Sequence, residues 1–286
     1  MTGGKDPKLH HFLPQMLLRR FTDVKGRLAF YTKVAPAAGV IAGKPKGLFA
    51  ENYLYTVEQA DGSCDVELEK SFAKLEGETH SVLAMIASAA RQDETPGLSV
   101  EQKRLLDQFF YMQWKRVPDM HAKSRTLQNA DANIEELIDQ LLEKHPDRAN
   151  ELQALRSPKE KARLAQGARV RAIATDVGQI MAVLDQRGLA IARTFEGMFA
   201  IGSAPIVRKR GDLREPDSEA WLPIASDLAI GIGRGKGTEV LIDLSRDQVN
   251  RFNQITAMQS TSFAAASRSL IEQLVATLPT SEDAKG

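Results

Sequence analysis

The chain has 286 residues, and 43% of them are hydrophobic, which is enough to bury a substantial core. Thirty-eight basic and thirty-seven acidic residues leave a formal charge of +1, so the net charge neither favours nor excludes a nucleic-acid partner. Cys64 is the only cysteine, which excludes an intrachain disulfide and a zinc site built on two thiolates, and indicates a reducing compartment.

The hydropathy pattern contains no membrane-targeting signal. The first residues lack the apolar stretch of a signal peptide, and no later run approaches the roughly 18 apolar residues of a membrane span. We therefore expect a cytoplasmic protein with no membrane partner.

The first predicted element is a short helix opened by Pro14 and running to Phe21, directly after His10 and His11. Proline has a fixed φ and no N–H, so it suits the first turn of a helix, and it pushes the preceding Leu13 into an extended conformation. An imidazole at such a turn can titrate near neutral pH, exchange protons or bind a metal. The alternative is an ordinary surface turn with two histidines.

A predicted strand over residues 27–32 and an aromatic segment over residues 48–56, with Glu51 in its middle, precede a helical region. Apolar residues at steps of three and four, together with start signals at Asp65, Ser99 and Ser157, predict helices. The predicted helices cover residues 65–90, 100–117, 134–143, 149–155 and 157–188.

Beyond Gly188 the apolar period shortens, which predicts strands at residues 189–194, 197–201, 206–208, 228–232 and 239–242. The loop Gly233-Arg-Gly-Lys-Gly237 between the last two is interpreted as a hairpin turn, with a phosphate-binding loop as the alternative. Ser245 then opens one final helix that runs through Phe263 to Leu274.

These elements predict an α+β fold with a mostly helical body and a small antiparallel sheet, built from the strand near Arg27 and those between Leu189 and Ile242. The chain contains no internal repeat and no long low-complexity linker. We therefore expect a single domain over residues 1–286, with an ordered core from about residue 9 to 278.

Several polar residues fall on helix faces that are otherwise apolar. At 100° per residue, Glu69, Glu76 and His80 lie along one border of the apolar stripe of the 65–90 helix. Gln113 projects from the middle of the apolar face of the 100–117 helix and Arg116 from its edge, and Asn253 lies near the core edge of the last helix. A buried guanidinium cannot lose its proton, so Arg116 needs a carboxylate, for which Glu51, Glu69 and Glu76 are candidates.

These inward polar groups support either a site or an internal ion-pair network that fixes helix packing. Glu76 and His80 at i, i+4 have metal-ligand spacing, although such pairs are mostly solvated, and we predict no metal site. A run of Lys and Arg from Lys159 to Arg171 is either a solvated face or a nucleic-acid track. No Gly-x-Ser-x-Gly or Walker motif is present, which disfavours hydrolases of those types.

Several segments together resemble the domain-of-unknown-function family 4238, found in bacteria and fungi. The resemblance covers nearly the whole chain, and it rests on His11-Phe-Leu-Pro14 before Leu18 and Phe21, Glu51 before Tyr55-Thr56, Glu69 with Leu75-Glu76, Gln113-x-x-Arg116-x-Pro118, and Trp221-Leu-Pro223 followed by Asn253. One departure is Ile201-Gly-Ser-Ala-Pro205, where the family often has Thr-Ser-Asp-x-Pro. If that aspartate takes part in chemistry, either activity is impaired here or Glu51 or Glu76 replaces it.

The sequence therefore supports two functional classes. The first is a hydrolase of a phosphodiester or other polar substrate, with His11, Glu51, Glu76 and Arg116 as catalytic residues: His11 and Glu76 supply acid–base chemistry and Arg116 stabilises negative charge. The second is a non-catalytic ligand-sensing or interaction module. In both, Glu69, Gln113 and Asn253 bind the ligand, a polar small molecule or a nucleic acid, and no cofactor is specified.

Overall fold

The computed structural model describes residues 8–59, 63–122, 129–175, 178–210, 215 and 218–279. In these residues the α-helices are α1 (Gln15–Leu18), α2 (Glu67–Arg91), α3 (Val100–Lys115), α4 (Pro118–Ala122), α5 (Ala130–Lys144), α6 (Ala149–Ala154), α7 (Pro158–Ala174), α8 (Gly178–Asp185), α9 (Arg246–Gln259) and α10 (Arg268–Ala276). Short 3-10 helices lie at Arg19–Phe21, Pro36–Ala38, Pro45–Gly47 and Pro146–Arg148.

The strands of the same residues are β1 (Leu9–His11), β2 (Leu28–Thr32), β3 (Ile41–Gly43), β4 (Ala50–Asn52), β5 (Val57–Glu58), β6 (Cys64–Asp65), β7 (Leu189–Arg193), β8 (Ile201–Gly202), β9 (Val207–Arg210), β10 (Glu219–Ala225), β11 (Leu228–Ile232), β12 (Glu239–Asp243) and β13 (Ser262–Ala265). None of the helices in the described residues combines the length and apolarity that crossing a bilayer requires.

The backbone forms two compact units that interleave along the chain. Unit 1 holds the described residues of Met1–His10, Asn52–Ala73 and Met120–Asp176, and unit 2 holds those of His11–Glu51, Lys74–Asp119 and Val177–Gly286. The single domain remains a prediction. We expected its two ends to lie outside the ordered core, and residues 1–7 and 280–286 of these ends are not among the described residues.

Unit 1 contains α5, α6, α7, the first turns of α2 and the β5–β6 hairpin. The segment that leads into β5 is fastened to α7, because the Gln166 Nε2 donates to the carbonyls of Leu54 and Thr56, each at 3.0 Å. Tyr55 is fully buried, and its ring meets Phe72 edge-on at a centroid distance of 5.0 Å. The aromatic contact holds the segment that leads into β5 on α2, and the two hydrogen bonds hold it on α7.

Unit 2 contains a five-stranded sheet in the order β12-β7-β11-β10-β9. β12 runs parallel to β7, and the other neighbours are antiparallel. β11 and β12 therefore flank β7, so the prediction of a hairpin turn at Gly233–Gly237 was wrong: the loop crosses the start of β7. A Cβ at Gly188 would lie 2.3 Å from the Thr238 carbonyl oxygen, so only glycine permits this close crossing.

The second sheet of unit 2 has the antiparallel order β3-β2-β13-β8. Its side chains pack with α9 and α10 around Tyr31, Phe263, Ile271 and Leu274. The prediction of one continuous helix from Ser245 to Leu274 was wrong, because β13 interrupts it. Phe263 fits a helical spacing equally well, and its pairing with Tyr31 on β2 and Gly202 on β8 makes the segment a strand.

Further elements differ from the sequence predictions. Of the predicted strand over residues 197–201, only Ile201 lies in a strand, β8. The predicted helix over residues 157–188 is divided into α7 and α8, since Thr175 ends α7 in an extended conformation (φ −64°, ψ 122°). β10 was not predicted as a strand because Pro223 lies in its middle. The structure accommodates this proline at an irregularity between Pro223 and Ala225.

The α+β fold class is confirmed, and so are the start signals at Ser99, Ser157 and Ser245. Ser99 with Gln102 and Ser245 with Gln248 form complete capping boxes, and Ser157 accepts from the Glu160 N–H. The sheet was predicted to be single and small, whereas the strand near Arg27 and most strands after Leu189 belong to different sheets.

Candidate functional site

His11 begins unit 2, at the end of β1 and before Pro14, which is the N-cap residue of α1 (φ −56°, ψ 134°). Its Nε2 lies 3.1 Å from the Lys46 carbonyl oxygen. A carbonyl only accepts, so this contact requires the proton on Nε2 and leaves Nδ1 as an acceptor. The local chain thus holds one tautomer of the imidazole.

Burial lowers the pKa of His11 from its usual 6.5, and the charge of Arg116 lowers it further. The carbonyls of Lys46 and Pro45 and the carboxylate of Glu76 act in the opposite direction. The imidazole is therefore neutral at pH 7, which is the form that accepts a proton.

Arg116 is the residue that ends α3, and its side chain is 1% exposed. Its Nε donates to the Phe12 carbonyl at 2.9 Å, and its Nη1 donates to the Glu76 Oε1 at 2.7 Å. The Glu76 side chain remains 24% exposed on α2. Because Phe12 follows His11 directly, this guanidinium ties the backbone at His11 to the Glu76 carboxylate. The structure thus brings together His11, Glu76 and Arg116.

Gln113 lies one helical turn before Arg116 on α3 and is fully buried. Within the described part of the chain, neither its Oε1 nor its Nε2 has a hydrogen-bond partner. Leaving a buried carboxamide unpaired costs roughly 1–3 kcal/mol, so a purely structural position would favour an apolar side chain. Gln113 is therefore suited to a polar ligand.

Asn253 is fully buried on α9, and both ends of its carboxamide have partners. Its Oδ1 accepts from the Ala200 N–H and its Nδ2 donates to the Met198 carbonyl, both at 2.8 Å. These bonds fasten the irregular segment that leads into β8. The ligand-binding role of Asn253 stays a prediction.

The remaining predicted positions are spread over the chain. Glu51 is exposed in β4, and within the described residues no hydrogen bond or ion pair joins it to His11 or Arg116. Glu69 is half-buried in the part of α2 that belongs to unit 1. His80 is exposed, and the described residues contain no group of three or more metal-ligating side chains arranged to hold an ion.

Lys46 is a residue that sequence reasoning missed. Its carbonyl contacts His11, while its side chain is exposed on the 3-10 turn Pro45–Gly47. Within the described residues neither Lys46 nor Lys44 has an ion-pair partner. The signal was the basic, proline- and glycine-containing run Lys44-Pro-Lys-Gly47, which predicts a turn but not its contact with His11.

Comparison with known proteins gives one match. Residues 9–269 match the family described as "Protein of unknown function (DUF4238)". The chain belongs to the DUF4238 family. No curated protein and no solved structure matches it. The resemblance expected from the sequence is thereby confirmed.

In this DUF4238 protein, Ser203 is the position at which the resemblance noted from the sequence led us to expect an aspartate. The Ser203 Oγ donates to the Asp119 Oδ2 at 2.5 Å, and the same oxygen accepts from the Thr261 N–H at 2.8 Å. Asp119 of α4 therefore supplies a carboxylate next to Ser203. Sequence reasoning missed Asp119 because it lies 84 residues before Ser203.

Proposed function

We propose that this DUF4238 protein is a cytoplasmic hydrolase of a phosphodiester or other polar substrate, with His11 as the general base and Glu76 as its partner. One observation carries the proposal. The Nε2–H of His11 donates to the Lys46 carbonyl. Nδ1 of the neutral imidazole can therefore accept a proton, beside the Glu76–Arg116 ion pair. A fixed tautomer and a neutral ring are what a general base needs.

In this proposal the reaction is an attack of water on phosphorus. His11 Nδ1 removes a proton from the water as its oxygen bonds to phosphorus, and the imidazolium returns that proton to the departing alkoxide as the ester bond breaks. Glu76 accepts a hydrogen bond from the water and stabilises the imidazolium. Atoms and charge balance without a further reactant.

From its charge, Arg116 was expected to stabilise negative charge on the substrate, and in this mechanism its role is different. Because its side chain is 1% exposed and donates to Phe12 and Glu76, we assign it as a positioning residue. The exposed ammonium of Lys46, in the segment that orients His11, is better placed to meet a phosphate.

The test is hydrolysis of bis(4-nitrophenyl) phosphate and of labelled RNA and DNA, with and without Mg²⁺ or Mn²⁺. His11→Ala is expected to lower kcat by roughly 10²–10⁴-fold, the usual contribution of a general base. The matched control is His80→Ala, which removes an exposed histidine and leaves activity unchanged. For Glu76→Gln the control is Glu78→Gln, on the same helix.

The pH profile provides a second readout. The rate should fall on the acid side only below pH 6.5, since burial lowers the pKa of the His11 imidazole. Absence of turnover with every substrate, or equal rates for wild type and His11→Ala, would contradict the catalytic proposal.

A second function is favoured by Gln113, whose buried carboxamide has no partner among the described residues. In this alternative the protein senses a polar small molecule without chemistry. Gln113→Leu should then raise the unfolding temperature and abolish ligand-induced stabilisation, because it removes an unsatisfied polar group that serves binding. A lower unfolding temperature would assign Gln113 to packing instead.

A further inference from the structure

The five-stranded sheet of unit 2 carries a cavity of about 670 Å³ on one face, at the end where the Gly233–Gly237 loop crosses β7. Small-molecule sites typically enclose about 300–1,000 Å³. His11, Glu76 and Arg116 are not among the residues that line it. The cavity is therefore large enough for a ligand of its own.

Three residues of one row across four strands line the floor of this cavity, and the fourth, Gly231, lies beneath the Trp221 ring. Val240, Ala190, Gly231 and Trp221 are successive cross-strand partners on β12, β7, β11 and β10. The two central residues are the smallest available, and they lie between two large ones. A Cβ at Gly231 would come within 2.5 Å of the Trp221 ring, so the indole lies directly over this glycine. The part of the row that lines the cavity is therefore an apolar trough over Ala190, between Val240 and the Trp221 ring.

The trough is open to solvent on its β12 side. Val240 is 44% exposed and Ile242 is 37% exposed, although both are large aliphatic residues on the outermost strand of the sheet. Their exposure costs free energy that an apolar ligand would recover by covering them. The same strand thereby provides the entrance and part of the floor.

The rim carries an excess of positive charge. Arg187 and Arg234 line the cavity together with one carboxylate, Glu219, which accepts from the Trp221 Nε1 at 2.9 Å. Arg187 donates to the carbonyls of Gly233 and Ser218 and so holds the loop in place. Within the described residues Arg234 has no hydrogen-bond or ion-pair partner. Its guanidinium is free to bind an anion.

Ser218 supplies an independent indication of a ligand. It lines the cavity and is 2% exposed, yet its Oγ has no hydrogen-bond partner among the described residues. A buried hydroxyl is normally hydrogen-bonded, and a small apolar residue would fill this position more stably. The hydroxyl is available as a donor to a bound acceptor.

From these observations we infer that the cavity binds a small organic anion, whose apolar body lies over Ala190 between Val240 and the Trp221 ring, and whose carboxylate or phosphate lies at Arg234 and Ser218. The apolar floor selects the body of the ligand, and the unpartnered cation and hydroxyl select its head group. This site is independent of the proposed hydrolase activity.

The test uses three probes with one apolar body: 3-phenylpropanoate, 3-phenylpropyl phosphate and the neutral 3-phenylpropanol. The chain has two tryptophans, so Trp114→Phe leaves Trp221 as the only indole reporter. Fluorescence titration of this variant, supported by calorimetry of the wild type, should show both anions, or one of them, binding at least tenfold more tightly than the alcohol. The tighter anion identifies the head group.

Three variants locate the site. Arg234→Gln should weaken anion binding at least fivefold, whereas Arg251→Gln, which changes an exposed arginine on α9, should not. Val240→Glu should abolish anion binding, since it places a negative charge on the trough. Ser218→Ala should weaken binding about fivefold without lowering the unfolding temperature, which separates a ligand contact from a structural role.

Two results would overturn the inference. One is equal binding of the alcohol and the anions, or no binding of any probe. The other is unchanged anion binding in Arg234→Gln, which would mean that the probes bind elsewhere.

Discussion

Replacing Arg116 by methionine should destabilise the protein substantially, because the guanidinium is 1% exposed and bonded to the Phe12 carbonyl and the Glu76 carboxylate. Removing one partner of a buried ion pair costs roughly 3–5 kcal/mol, much of it from the charge left behind. Here the Glu76 carboxylate stays 24% exposed, so water stabilises it in part. The buried Phe12 carbonyl also loses a donor. We expect a loss of about 3 kcal/mol in the free energy of unfolding, at the lower end of that range.

A double-mutant cycle distinguishes the ion pair from lost packing. Adding Glu76→Gln to Arg116→Met removes the uncompensated charge and should recover about 1–2 kcal/mol of the loss. The measurement is urea unfolding of the wild type, both single variants and the double variant, followed by circular dichroism. Lys74→Met with Glu78→Gln is the control pair, because both its side chains are more than half exposed and their 3.9 Å contact should contribute almost nothing.

A loss below 1 kcal/mol for Arg116→Met, or no rescue by Glu76→Gln, would refute this reasoning. The first result would mean that Arg116 is held at a cost to stability, as a ligand-binding group is. The second would mean that the Phe12 contact and packing, rather than the Glu76 charge, account for the effect.

Two further predictions concern buried polar groups of unit 2. Burial raises the pKa of Asp107 to about 6. The folded state thus holds a proton that the unfolded state releases near pH 4, so the stability attributable to this group falls by about 3 kcal/mol as pH rises from 4 to 6. Asp107→Asn should flatten that part of a stability profile measured by urea unfolding, and an unchanged profile would contradict it. Asn253→Ala should cost about 2 kcal/mol, because the buried Ala200 N–H loses its acceptor. Asn250→Ala on the exposed face of the same helix is the control. Equal losses of unfolding free energy in the two variants would show that the bonds of Asn253 to Met198 and Ala200 do not account for the effect.

Elements with local start and stop signals were predictable from the sequence. Ser99 and Ser245 mark helix starts because a hydroxyl can accept from an N–H three residues later, and this bond needs no tertiary contact. The fold class and the inward-facing positions of Gln113, Arg116 and Asn253 follow similarly, from the 3.6-residue period of their helices.

What the sequence could not determine depends on partners distant along the chain. β13 is a strand because β2 and β8 lie on its two sides, although Phe263 also fits a helical period. The sequence left Glu51, Glu69 and Glu76 as candidate partners of Arg116, and the fold places Glu76 at its Nη1. The fold also places the Lys46 carbonyl at His11. A helical period or a cap acts over three or four residues, whereas a buried charge finds its partner only when the whole unit closes around it. Local pattern therefore determined which polar groups turn inward, and tertiary packing decided which of them meet.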